Sequence, residues 1–288
     1  MIPSTTIIIK KGHKNIGLEK YAAQRIENEF SLLRKLIDYD EAHRQRLVDK
    51  NKFCRYSDIR TYKDNKVQIT SKHNYINASW INLPSNHSFI ATQGPMDSTI
   101  EDFWEMCYAY NVSIIIMICR LKEKDKIKCA NYWEATLEKY QIVKVNNEIK
   151  LDEGLIKREF SIKNLQDNSF KKIVQIQLTT WDDHTAPISN YYKIIEMIQF
   201  IDKNRDKNPV VVHCSAGAGR TGSFISMYNL FHEIIEQIDD YDTEEIKFSV
   251  MNIVRKLKEM RLFLVENEKQ YLLLYNFVNL LLINNNQC

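Results

Sequence analysis

The 288-residue chain has few of the residues that interrupt regular structure, with seven glycines and five prolines. Long flexible linkers are not expected from such a composition. Nor is there an apolar run able to cross a bilayer: the longest, residues 272–283, is broken by Asn276 and Asn279. At the N-terminus only Ile7, Ile8 and Ile9 precede Lys10 and Lys11, too short a run for a secretory signal core. Neither sign of charge dominates, since 40 Lys and Arg face 37 Asp and Glu, and a net charge of +3 is too small for a nucleic-acid surface. The six cysteines, Cys54, Cys107, Cys119, Cys129, Cys214 and Cys288, form no CxxC pair, and no Cys/His set has zinc-ligand spacing. Free thiols in a soluble, cytosolic chain are expected, with Cys107, Cys119 and Cys129 as buried small hydrophobes. No prenylation box precedes Cys288. Repeats are absent, and low complexity is confined to Asn284, Asn285 and Asn286.

What is present is the apolar and charged balance of an ordinary globular protein, 44% hydrophobic and 27% charged, enough for a sizeable core. Residues 19–47 space Tyr21, Ile26, Phe30, Leu33 and Ile37 as on amphipathic helices. Residues 66–94 read as short strands with a turn at Leu83-Pro84-Ser85-Asn86, and residues 99–109 as a helix. The β-branched run at 112–119 suggests a strand covered on both faces. More strands are expected within 141–180 and a helix over 189–204. Val210 to Val212 then form a short buried strand, followed by helices over 221–237, 243–260 and 268–283. The order suggests an α/β (α+β) domain with a mixed sheet. No break in composition divides residues 1–288, so one domain is expected.

The chemistry concentrates in Val210-Val211-Val212-His213-Cys214-Ser215-Ala216-Gly217-Ala218-Gly219-Arg220-Thr221-Gly222. Three of the seven glycines fall within six residues between a strand and a helix. Such a loop winds tightly enough to aim successive backbone N–H groups at one centre, and the helix adds the positive end of its dipole. The result is a cradle of phosphate size made by Ser215, Ala216, Gly217, Ala218 and Gly219. Arg220 can grip two phosphoryl oxygens. Cys214 opens the loop, and the field that attracts phosphate also favours thiolate over thiol. The plainer reading is a strand-to-helix turn with a buried cysteine. Walker and dinucleotide loops do not fit, for want of GK[ST] and GxGxxG.

The spacing His213-Cys214, five residues, Arg220-Thr221 resembles the signature of the protein tyrosine phosphatase superfamily. Asn74-Tyr75-Ile76-Asn77-Ala78-Ser79, Thr92-Gln93-Gly94-Pro95, Phe103-Trp104-Glu105-Met106 and Lys128-Cys129-Ala130-Asn131-Tyr132-Trp133 resemble further blocks of its phosphotyrosine-specific branch. They follow the family's order over about residues 20–285 of a single domain. The resemblance implies a highly twisted mixed sheet flanked by helices, a metal- and cofactor-free cysteine mechanism, and phosphotyrosine-containing proteins as partners. It implies His213 as a support of the loop, Thr221 as the hydroxyl steadying the thiolate, and a charged loop of Glu123, Lys124 and Lys128 whose glutamate pairs with Arg220.

Phenolate departs poorly because tyrosine's pKa is about 10, so a positioned acid should protonate it, a gain of roughly 10²–10⁴-fold. Trp181-Asp182-Asp183-His184-Thr185-Ala186-Pro187 resembles the family's mobile acid loop, with Asp183 as the acid. Here Asp182 replaces a proline and Thr185 a glycine. Arg55-Tyr56-Ser57-Asp58-Ile59 resembles the substrate-recognition loop, which implies Tyr56 stacked on the phosphotyrosine ring and Asp58 holding peptide N–H groups. Dual-specificity relatives lack that loop. Val265-Glu266-Asn267-Glu268-Lys269-Gln270-Tyr271 resembles the glutamine loop that holds the hydrolytic water; Gln270 matches its second glutamine, and Glu266 stands where the first belongs.

Two other readings compete. A weakened phosphotyrosine-binding protein that sequesters targets is suggested by Asp182 and Glu266. A phosphoinositide phosphatase would carry lysines in the signature loop, where Ser215, Ala216 and Ala218 offer none. The Lys-, Asn- and Ile-rich composition and altered loops resemble the tyrosine phosphatases of insect polydnaviruses, which would place the chain in host cytoplasm, acting on signalling proteins.

Overall fold

A computed structural model describes residues 6–11, 20–83, 87–182, 185, 190–240, 242 and 244–284. The N-terminal third carries β1 (Ile7–Lys10), α1 (Lys20–Leu33) running into a π-helical turn (Arg34–Asp38), and α2 (Glu41–Gln45). Asp40 starts α2 by accepting the His43 N–H on its side chain. There follow β2 (Ala78–Asn82), β3 (Ser88–Thr92), α3 (Ile100–Ala109), β4 (Ile114–Met117) and the two-residue strands β5 (Lys122–Glu123) and β6 (Lys126–Ile127). An antiparallel run comes next: β7 (Tyr140–Lys144), β8 (Ile149–Asp152), β9 (Leu155–Asn164) and β10 (Phe170–Leu178). The chain closes with α4 (Tyr191–Asn204), β11 (Val210–His213), α5 (Gly219–Asp239), β12 (Glu245–Phe248), α6 (Val250–Met260) and α7 (Glu268–Asn284).

Eight strands form one mixed sheet in the order β2-β3-β11-β4-β10-β9-β7, with β8 also on β9. Strands β3, β11, β4 and β10 run parallel; β2 and the β9 side run antiparallel. β4 and β11 are aliphatic and β-branched throughout their middles and are buried at every position, as expected where helices cover both faces. Because they are central and parallel, their C-terminal ends open on one edge of the sheet, where α/β folds place ligands. The chain segments after β3, β4, β10 and β11 all emerge there. One contiguous buried cluster runs from Ile9 in β1 to Leu282 in α7. No helix among the described residues is long and apolar enough to cross a membrane.

The helix expected over 243–260 is two elements. Residues 245–248 alternate between partly exposed and buried, the period of a strand, and β12 pairs antiparallel with β1, Ile7 opposite Phe248 and Ile9 opposite Ile246. Ser249 then caps α6 by accepting the Asn252 N–H at 3.2 Å. The isoleucine run at the N-terminus is therefore a strand. The strand expected over 112–119 contracts to residues 114–117, and the helix expected from 221 starts at Gly219, which places Arg220 and Thr221 in its first turn. Of the turn proposed at 83–86, only Leu83 lies within the described residues.

Candidate active site

β11 delivers the chain into the loop 214–218 and α5 takes it away. Every loop carbonyl is held from outside. Cys214 O faces His213 Nδ1 at 3.1 Å, and Ser215 O accepts the Gly94 N–H at 2.9 Å. Ala216 O and Gly217 O accept Arg261 Nη2 and Nε at 3.2 and 2.7 Å. Ala218 O accepts the Gly222 N–H at 2.7 Å. In a trans peptide the N–H points opposite the C=O, so these bonds turn the following N–H groups toward the cleft. Gly217 is required: its φ is +65°, and a Cβ there would lie 2.1 Å from Thr92 O. Gly94 is equally confined, because a Cβ would meet Cys214 O at 2.7 Å.

Arg220 is buried beside this cradle. Its Nη1 donates to Glu123 Oε1 at 2.6 Å and to Trp181 O at 2.8 Å, and its Nη2 to Glu123 Oε2 at 3.3 Å. Glu123, on β5, also accepts the Arg120 N–H at 3.1 Å, so the carboxylate is fixed before it orients the guanidinium. The expected Glu123–Arg220 pair is thus present. Lys128 lines the cleft, whereas Lys124 is exposed and does not; Lys126 lines it instead. Thr221 is fully buried in the first turn of α5, and its Oγ1 has no hydrogen-bond partner, Cys214 Sγ included. His213 is buried in β11, between Cys214 O and the Tyr132 hydroxyl at 3.0 Å from Nε2.

Across the cleft, the Tyr56 hydroxyl lies 3.0 Å from Ser215 Oγ, which donates to Lys128 O. Its loop is held from below. Gln93 accepts the Arg55 N–H and donates to Phe53 O, while Arg55 Nη2 and Nε donate to Pro95 O and Gly94 O at 2.6 and 3.1 Å. Tyr56, Asp58, Ile59, Lys126, Lys128, Cys214, Ser215, Ala216, Gly219, Arg220 and Glu266 line a cleft of about 190 Å³. With Arg220, Lys126 and Lys128 in its lining, it suits an anion.

The acid-loop candidate Asp183 lies outside the described residues. Its neighbour Asp182 is exposed and pairs with Arg120. Trp181 Nε1 donates to Thr185 O at 2.9 Å, and Thr185 Oγ1 donates to Asp182 O at 2.6 Å, so threonine closes the turn with its own hydroxyl. Glu266 faces inward, with Oε2 3.0 Å from the point a Gly219 Cβ would occupy. Gln270 is buried: its Oε1 accepts the Glu266 N–H at 2.9 Å, and its Nε2 has no hydrogen-bond partner.

Arg261 is a site residue that sequence reasoning missed. It is fully buried behind the loop, and burial pulls its guanidinium down to about 10, opposed by Tyr75, Cys214 and Cys54. It therefore remains a cation at neutral pH. An arginine between Met260 and Leu262 at the end of an amphipathic helix was the available signal. Arg55, Gln93 and Tyr132 were likewise visible only as parts of motifs.

A family model described as protein-tyrosine phosphatase matches residues 50–279. The chain is 37% identical over 209 residues to Tyrosine-protein phosphatase 2 of Dictyostelium discoideum, covering 72% of this chain and 54% of that protein. It is 34% identical over 272 residues to the human tyrosine-protein phosphatase non-receptor type 20, covering 90% of this chain and 61% of that one. The chain thus spans a little over half the length of these relatives. Among solved structures, PTPN18 in complex with HER2 phosphopeptides superposes with a TM-score of 0.76 at 26% identity, over 88% of this chain and 98% of that one.

Proposed function

Because the chain belongs to the protein-tyrosine phosphatase family, we propose that it hydrolyses phosphotyrosine in proteins through a cysteinyl-phosphate intermediate. The observation that carries this reading is one cleft lined by Cys214, Arg220 and Tyr56, at a loop whose carbonyls are all held by other groups.

The N–H groups of residues 215–219 and the Arg220 fork bind the phosphoryl oxygens. The Cys214 thiolate attacks phosphorus as the P–O bond to tyrosine breaks. Asp183 gives its proton to the departing phenolate. A water beside Gln270 then attacks phosphorus, the S–P bond breaks, thiolate is regenerated, and Asp183 takes back the proton. The unpartnered Gln270 Nε2 supports its role at the water; Thr221 is assigned to the thiolate from its place in the signature, its hydroxyl being free to turn there. Tyr56 stacks on the substrate ring and Asp58 holds the peptide backbone. Phosphotyrosine-containing proteins are the partners, in keeping with the phosphopeptide complexes of PTPN18.

Residues 1–288 act as one domain, supported by the contiguous buried cluster. We place the chain in the cytoplasm, a host cytoplasm for a polydnavirus-like member, because its five described cysteines are all free. Turnover of p-nitrophenyl phosphate and of a phosphotyrosine peptide tests the activity: vanadate-sensitive hydrolysis is expected, and its absence would refute the reading.

A further inference from the structure

A chain of buried polar groups runs from β9 to the signature loop, and its direction is set at the far end. Arg158, on β9, is buried over the Trp133 ring at 4.5 Å, and its Nε donates to Glu148 at 2.6 Å. Its Nη1 donates to the side-chain oxygens of Gln175 and Gln177, both at 2.7 Å. A guanidinium has no acceptor, so Gln175 must turn its oxygen to Arg158 and its amide nitrogen the other way. That nitrogen reaches the Tyr132 hydroxyl at 2.5 Å and can only donate. The Tyr132 oxygen, having accepted from Gln175, has its own proton left to give. At 3.0 Å stands His213 Nε2; the competing acceptor, Met117 Sδ, is weak and 3.9 Å away. On its other side, His213 Nδ1 faces Cys214 O at 3.1 Å, a contact that requires a proton on Nδ1.

We propose that Arg158 and Gln175 are positioning residues that fix this polarity. They hold His213 with its proton on Nδ1 and a lone pair on Nε2, and so anchor the carbonyl of Cys214. Each bond in such a chain polarises the next. The Gln177 branch ends elsewhere, donating to Cys119 O at 2.8 Å, so the two glutamines, two residues apart on one strand, have separate tasks. The kinetic part of the inference rests on the phosphatase reading; the tautomer does not.

The test is Gln175→Glu, which keeps the shape and the Arg158 contact but replaces the donor with an acceptor. One carboxylate oxygen then faces Arg158, and the other takes the Tyr132 proton. The Tyr132 lone pair turns to His213, whose Nε2 must carry a proton. Nitrogen-15 NMR of the imidazole at neutral pH should show the parent protonated on Nδ1 alone and the variant protonated on Nε2 as well. Turnover should fall on the order of tenfold with KM within about twofold, because an imidazolium at His213 stabilises the neighbouring thiolate and so makes it a weaker nucleophile, while the phosphate contacts remain. Gln177→Leu should leave the Nε2 signal of the parent in place. A parent already protonated on Nε2, or a Gln175→Glu signal identical to the parent's, would overturn the polarity. A shifted signal with turnover within about twofold of the parent would overturn the positioning role. Should Gln175→Glu fail to fold, the parent signal alone decides the polarity. A parent that does not hydrolyse the ester refutes the phosphatase reading and leaves the NMR result standing.

Discussion

Arg261 Nε and the carbonyl oxygen of Gly217 lie 2.7 Å apart, with Nη2 on Ala216 O and Nη1 on Ser79 Oγ. One planar cation thus ties two consecutive peptides of the loop to β2 without reaching the cleft. Arg261→Lys should keep the charge but cannot span all three acceptors. We expect kcat/KM to fall on the order of 10²-fold, as small misplacements of a catalytic group can cost. The check is steady-state kinetics beside a thermal melt, with the parent melt as reference.

Cys214→Ser should abolish turnover yet retain inorganic phosphate, since the loop's N–H groups remain. Arg220→Lys should also lose activity, because one ammonium replaces a fork already oriented by Glu123. Single-turnover kinetics and phosphate binding by calorimetry measure both. More than a few per cent of parent activity in Cys214→Ser would be incompatible with thiolate attack.

The two adjacent aspartates should separate cleanly. Asp182 sits on the exposed Arg120, a surface pair contributing roughly 0–1 kcal/mol, so Asp182→Asn should change turnover by less than about fivefold. Asp183→Asn should lower turnover of aryl phosphates with phenol-like leaving groups by roughly 10²-fold or more, and much less for acidic leaving groups. Asp182→Pro should hold or raise the rate. Equal losses in the two asparagine variants would move the acid assignment.

Glu266 places a carboxylate against Gly219, where the dianionic phosphoryl group of the proposed intermediate would lie beside it. At intermediate effective dielectric, that like-charge contact costs on the order of 1–4 kcal/mol. Dephosphorylation of the enzyme should therefore be the slow step, giving a burst of phenol release in stopped flow. Glu266→Gln should raise the steady-state rate and leave the burst rate nearly unchanged. A linear time course in the parent, with no gain in the variant, would show the carboxylate to be silent.

Legibility in the sequence followed distance along the chain. Cys214, Arg220 and the glycines were readable because thirteen contiguous residues hold the cradle, and their chemistry is local. Glu123 was readable only through the family resemblance; its bond to Arg220 crosses 97 positions. β12 was lost because four residues of period two adjoin a helix and acquire a partner only from β1, at the opposite end of the chain. Arg261 carried no motif, since it recognises carbonyls that any residue supplies. Gln175 and Gln177 carry no motif of their own, and their meaning depends on Arg158 on the neighbouring β9.

The loop's carbonyls are held by groups from two distant stretches of chain, Gly94 after β3 and Arg261 after α6, and by the flanking His213 on β11. None of these is near the others until the sheet and its helices have closed, so the unfolded chain has no anion cradle. An oxyanion bound there is consequently linked to the whole folding equilibrium. At one hundred times its dissociation constant, vanadate or phosphate would add about 2.7 kcal/mol to the stability of the native state. The melting temperature of the protein thus becomes a titration of its own signature loop, readable without any turnover.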